Sequence, residues 1–145
     1  MALVLRRAIF YATQQGTSKE VAEQIGSKIG IDVHDIATLK TEDFDTYSTL
    51  IFVVSTYGRG DPPESAKPFW DFLSGLDASK QFSGKKFAVF GCGSTNFKRS
   101  FVGFAKKVEE ALKNHGCQEI AELGIKDDND EESCDLDQWI TSLKL

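Results

Sequence analysis

Two runs in this chain, TLIFVV (49–54) and FAVFG (87–91), are apolar at almost every position. A strand with one wet face alternates apolar and polar residues, whereas a strand covered on both faces does not. Both runs therefore belong in the middle of a sheet that lies between two other layers. The remaining sequence supplies those layers. Strand-like runs recur at VLRRAIFYA (4–12), IDVHDI (31–36) and CQEIAEL (117–123). Between them lie helical stripes. Val21, Ile25 and Ile29 recur every four residues with Ala22 beside them. Ala66, Phe69, Trp70 and Leu73 fall at i, i+3, i+4 and i+7, as do Leu136, Trp139, Ile140 and Leu143. A further stripe runs through Phe104, Ala105 and Val108. Strand–helix alternation of this kind predicts an α/β fold: a doubly wound parallel sheet of five strands with four main helices on its two faces. The stretch ATLKTEDFDTY (37–47) reads as an irregular connection with one helical turn.

At 145 residues the chain suits one domain, residues 1–145. A net charge of −5 argues against nucleic acid as a direct partner, because phosphate backbones need a concentrated basic surface. The longest apolar run is too short to span a bilayer, and the start MALVLRRAIFYA lacks the order of a signal peptide. Cys92, Cys117 and Cys134 are odd in number and form no CxxC pair, which fits reduced thiols in a cytoplasmic protein and no metal site. Trp70, Trp139 and Cys92 read as packing residues, and His34 and His115 are assigned no function.

In an open α/β sheet, ligands bind outside the carboxyl ends of the strands. Here those ends lead into TQQGTS, TYGRGDPP, GCGSTNF and GIKDDND, all rich in glycine, hydroxyls, aromatics or carboxylates. The connections at the other edge, such as SGKK and NHG, are plainer. The segment ATQQGTSKEVAEQI runs from a strand through a tight turn into a helix. It lacks both the GxxxxGK[ST] and the GxGxxG spacing, and offers instead neutral donors from Thr13, Thr17 and Ser18, with Gly16 allowing close approach. Such a cradle suits one terminal phosphate, although Thr17 or Ser18 could equally be a plain helix cap. Tyr57 and Phe97 fall in neighbouring loops and could flank a planar heterocycle, with Gly58, Gly60, Gly91 and Gly93 clearing side chains from its edge.

Together FYATQQGTS, STYGRGDPPESAKPFWDFL, FAVFGCGSTNF and ELGIKDDND resemble the flavodoxin-like FMN domain of the diflavin reductases. That group includes the reductases of haem monooxygenases, nitric oxide synthase and sulfite reductase, and the flavodoxin-like domain of the tRNA-wybutosine radical enzymes is a relative. The resemblance runs from about Ala8 to Leu143 and implies strand order 2-1-3-4-5. By this resemblance Thr13, Gln14, Gln15, Gly16, Thr17 and Ser18 hold the FMN phosphate. Ser55, Thr56, Tyr57, Gly58 and Gly60 line one side of the ring, Gly91, Gly93, Ser94 and Phe97 the other, and Asp127 lies near the ribityl chain or the phosphate loop. The implied role is one-electron relay between a reductase and an acceptor protein, with no catalytic side chain, since the cofactor carries the chemistry. The chain matches no nicotinamide-binding module and is not expected to oxidise NADPH by itself, whether free-standing or part of a larger reductase.

Some positions depart from the pattern the resemblance implies. Arg59 and Lys126 put positive charge near the flavin, which is expected to raise the potential of its fully reduced anionic form. The fourth-strand loop carries Ser94 and Phe97, and Phe97 can stack without offering a hydroxyl. The acidic run 127–137 is either a solvated helix cap or a surface that guides a basic redox partner to a monomeric carrier. Two other readings share the topology: a flavin-free interaction module, and a phospho-acceptor domain, which would need clustered acids where the first strand ends in YATQQGTS.

Overall fold

The computed structural model describes residues 7–12, 17–38, 47–55, 66–75, 82–93, 103–127 and 136–143; for Thr17, Gly93, Lys126 and Asp127 it describes the backbone alone. The apolar run 49–54 becomes β3 (Thr49–Ser55), six consecutive buried residues ending on a half-buried serine. On one side β3 pairs with β1 (Arg7–Ala12), and on the other with β4 (Lys86–Gly93). β2 (Val33–Asp35) lies outside β1, and a 3-10 turn at Ile36–Thr38 follows it. Every pairing is parallel, and the order is β2-β1-β3-β4-β5, as the resemblance implies.

Strand periodicity of two sorts the core into two layers. Phe10, Leu50, Phe52, Val54, Phe87 and Val89 face one side. There they meet Phe69 and Leu73 of α2 (Lys67–Leu73) and Phe104, Ala105, Val108 and Leu112 of α3 (Gly103–Asn114). Ile9, Ile51, Val53, Ala88, Phe90 and Cys92 face the other side, against Val21, Ala22 and Ile25 of α1 (Thr17–Ile29) and Trp139 of α4 (Leu136–Ser142). Four helical stripes thus cover two faces of one sheet. Trp70 of α2 meets Phe104 of α3 edge-on, ring centroids 5.7 Å apart. At Gly30 α1 stops in the left-handed region (φ +68°), and the N–H groups of Gly30 and Ile31 both donate to the Gly26 carbonyl.

The fifth strand differs from the single run expected over 117–123. It is two short strands, β5 (Gln118–Glu119) against the start of β4 and β6 (Gly124–Asp127) against its end. The break between them brings the Glu122 carbonyl to the Trp139 indole, whose Nε1–H donates to it at 2.8 Å. Gly124 then packs where a Cβ would lie 2.3 Å from Phe90 Cδ2 and 2.9 Å from Trp139 Nε1. No side chain larger than hydrogen fits there without displacing those two rings.

Candidate functional site

Parallel register brings the carboxyl ends of four strands to one edge. Ala12 of β1 lies opposite Val54, Ser55 of β3 opposite Cys92, and Gly93 of β4 opposite Asp127 of β6. α1 begins at this edge, at Thr17, shortly after β1 ends. The first turn of a helix has backbone N–H groups without partners inside the helix, and its dipole favours an anion there. Thr17, Ser18, Ser55, Gly93 and Asp127, drawn from distant parts of the sequence, are therefore gathered at one end of the sheet. Gly91 lies deeper, buried between Val54 and Ile125. Thr13, Gln14, Gln15, Gly16, Thr56, Tyr57, Gly58, Arg59, Gly60, Ser94 and Phe97 lie outside the described residues.

One contact at this edge was not legible in the sequence. Ser18, fully buried on the first turn of α1, and Ser55, half-buried at the end of β3, hold their hydroxyl oxygens 2.5 Å apart. The resemblance implies Ser18 at the phosphate and Ser55 at one side of the ring; in the fold their hydroxyls also meet each other. They are 37 residues apart, so no local spacing could have announced the contact.

Titration is perturbed at the other end of the sheet. β5 pairs with Lys86 and Phe87 at the start of β4. Burial there pushes the Glu119 carboxyl up to about 7, helped by a hydrogen bond to Glu109 and by that group's charge, and opposed by Lys113. Burial also pushes the Cys117 thiol up to about 11 against the pull of Lys85, and its Sγ–H donates to the Phe82 carbonyl. These shifts belong to the packing of that edge. Between α1 and α4, on the face that carries Trp139, Glu20, Glu23 and Asp137 border a surface groove in which Lys28 pairs with Asp137.

A doubly wound parallel sheet with hydroxyls, a helix start and a glycine-ended strand at its carboxyl edge is an α/β domain of the class in which that edge is suited to a phosphate-bearing ligand. The chain belongs to the flavodoxin family: the family model described as Flavodoxin matches residues 9–139. It is 33% identical over 141 residues to NADPH--cytochrome P450 reductase of Rattus norvegicus, covering 90% of this chain and 20% of that protein. It is 34% identical over 145 residues to NADPH-dependent diflavin oxidoreductase 1 of Arabidopsis thaliana, covering 93% of this chain and 23% of that protein. The chain thus spans about a fifth of the length of these relatives. Two solved structures share its fold. One is a short-chain flavodoxin associated with a non-canonical PDU bacterial microcompartment (TM-score 0.76, 24% identity, 97% of each chain). The other is oxidised Flavodoxin 2 from Bacillus cereus (TM-score 0.78, 24% identity, 94% of this chain and 96% of that one).

Family membership makes this an FMN flavoprotein of the electron-transport kind. The donor set at the strand ends fits that cofactor. Hydroxyls and helix-start amides suit a phosphate, and the Ser55 hydroxyl stands where β3 leaves the sheet. Among the described residues no helix is long and apolar enough to cross a membrane.

Proposed function

We propose that residues 1–145 form one FMN-binding unit that relays single electrons between a reductase and an acceptor protein, as a cytoplasmic monomer. The convergence of the α1 start with the ends of β3, β4 and β6 carries the reading. When bound, FMN supplies the one-electron chemistry. The chain's own residues hold it and exclude water. The turn Thr13–Ser18 and the first amides of α1 bind the phosphate, and the segment Ser55–Gly60, with Tyr57, walls one side of the ring. Gly91, Gly93, Ser94 and Phe97 wall the other side, and Asp127 stands by the ribityl chain or the phosphate turn. The buried thiols Cys92 and Cys117 accord with a reducing compartment. The match to diflavin reductases over a fifth of their length supports a donor that is a reductase domain, in the same chain or in another. The acidic run 127–137 and the neighbouring Glu20 and Glu23 favour a partner with a basic docking face.

Fluorescence titration tests the core of the reading. The purified chain is expected to quench FMN emission to a one-to-one endpoint, and to bind riboflavin at least about tenfold more weakly, because the helix start then has no anion to hold. A folded sample that leaves FMN emission unchanged overturns it and favours a flavin-free interaction module.

A further inference from the structure

Two carboxyls and one ammonium meet where α3 lies beside β5. Glu109 and Lys113 stand one turn apart on α3, and Glu119 is the last residue of β5. Lys113 Nζ lies 3.4 Å from Oε1 of Glu119 and 4.0 Å from Oε1 of Glu109. Both glutamate side chains are 20% exposed, against 52% for the lysine. One cation, itself half in water, neutralises one carboxylate and leaves the other in excess. The Oε2 of Glu119 is buried and has no hydrogen-bond partner among the described residues.

The other groups around this cluster do not make up the difference. Among the described residues Lys113 is the cation that pairs with these glutamates; Lys106, a turn before Glu109, is exposed. Glu110 is exposed beside a groove that Trp70 of α2 also lines. On β4 the register partner of Glu119 is Phe87, and Lys86 alternates to the opposite face of the sheet. Lys85, just before β4, donates from its Nζ to the Tyr47 carbonyl, and the Cys117 thiol donates to the Phe82 carbonyl. Gln118 is uncharged, and Glu122, beyond β5, is exposed and adds no cation. An ionised carboxylate only accepts hydrogen bonds, so two of them side by side repel, whereas a protonated carboxyl donates its O–H to the other. A single proton therefore turns the excess charge into a bond.

The strand beside that bond is lightly held. β5 is two residues long, ends the strand order and pairs with the start of β4. The Gln118 N–H donates to the Lys85 carbonyl at 2.8 Å and the Ile120 N–H to the Phe87 carbonyl at 2.9 Å. A break separates it from β6, which has its own register with the end of β4. Such a segment can open while the rest of the sheet stays closed. We propose that Glu109 and Glu119 form a one-proton clasp between α3 and β5, closed while a proton bridges the two carboxyls and free to open locally once that proton leaves. The raised carboxyl of Glu119, about 7 against the ordinary 4.5, accords with this and sets the sign. A group that binds its proton more tightly in the closed form stabilises that form fully below about pH 4.5, and the effect is lost as pH rises through about 7. The clasp lies at the amino edge of β4 and does not rest on the FMN reading.

The test is amide hydrogen exchange by NMR on the full chain, at about pH 5.5 and about pH 8.5, read as protection factors so that the intrinsic pH dependence of exchange divides out. In the wild type the Gln118 and Ile120 amides are expected to lose about tenfold or more of their protection at the higher pH. A small addition of urea should leave their exchange there unchanged while speeding that of the β3 amides, the mark of a local opening. Glu119→Gln and Glu109→Gln each leave one carboxylate for Lys113 and supply an amide donor in place of the proton. Each should therefore keep, at the higher pH, the protection that the wild type shows at the lower one, which an ordinary loss of packing would not produce. If one variant does not fold, the other carries the test alone. The clasp is overturned if wild-type protection at Gln118 and Ile120 is the same at both pH values. It is equally overturned if a folded glutamine variant loses protection as the wild type does or is unprotected at both, or if urea speeds the β5 amides as steeply as those of β3.

Discussion

Glu119 shows how far a single residue can depart from what its type suggests. In the sequence it is one acid in a weak strand, but in the fold it is mostly covered and its Oε2 is buried without a hydrogen-bond partner among the described residues. Lys113 approaches its Oε1 at 3.4 Å, and the neighbouring Glu109 carboxyl favours its protonated form. Raised from the ordinary 4.5 to about 7, Glu119 binds a proton more tightly in the folded chain than in the unfolded one. Its contribution to stability is complete below about pH 4.5 and is lost as pH rises through about 7. Glu119→Gln should therefore flatten the fall in stability between pH 5 and 8 by on the order of 1 kcal/mol, as urea unfolding at a series of pH values would show. A variant whose pH profile parallels the wild type would mean that the carboxyl is not protonated at neutral pH. Other residues were plainer. Trp139 packs in the core as its stripe indicated, and Cys92 is a buried small residue. His115, assigned no function, bridges two helices through its Nε2, 2.6 Å from the Leu73 carbonyl oxygen. That contact spans 42 residues, which places it beyond any reading of local pattern.

Among the elements, β1, β3, β4 and the four helices were legible because their signals are local. An apolar run bare of polar residues can only be a strand covered twice, and a stripe at i, i+3, i+4 and i+7 can only bury one face of a helix. The fifth strand was less legible because its break is caused from outside. CQEIAEL has strand-like composition, yet Trp139 of α4 takes the Glu122 carbonyl that a continuous ladder would otherwise use. GIKD looked like the start of a loop, yet it pairs along the end of β4 because Gly124 can slip under Phe90 and Trp139. Phe90 and Trp139 meet edge-on at 5.1 Å and close over that glycine. A methyl group at position 124 must push both rings apart or lift β6 from β4. Gly124→Ala is thus expected to cost about 2 kcal/mol in urea unfolding, the range of an overpacked core. It should also weaken FMN binding, because β6 carries Asp127 to the edge where β4 ends. Unchanged unfolding in this variant would show that β6 is seated by its backbone bonds and not by the fit around Gly124.

At the scale of the whole molecule, the sheet separates two kinds of chemistry. The amino edge of β4 holds the raised carboxyl of Glu119 and the raised thiol of Cys117, and the carboxyl edge gathers the hydroxyls and the start of α1. The edge at which these groups gather was legible from topology alone, since a parallel sheet in this order brings the same strand ends together. Its internal contacts were not, because Ser18 and Ser55 meet only once three strands and a helix have assembled. The charge of the molecule bears on the same edge. Glu20 lies in the first turn of α1 and Glu23 one turn further on, both exposed; Lys28, near the far end of that helix, offsets Asp137 but neither of them. Glu20 and Glu23 outnumber the exposed Lys19 at the α1 start, and in a chain of net charge −5 a basic partner approaching that side is expected to meet favourable charge. Such a field reaches about 30 Å at 0.01 M salt and about 3 Å at 1 M. Electron transfer from the reduced flavoprotein to a basic acceptor should therefore slow by about tenfold or more across that range in stopped-flow measurements. The Glu20→Gln/Glu23→Gln variant should show a shallower salt dependence while keeping its affinity for FMN. A rate indifferent to salt, or a double variant with the wild-type slope, would place the docking face away from α1.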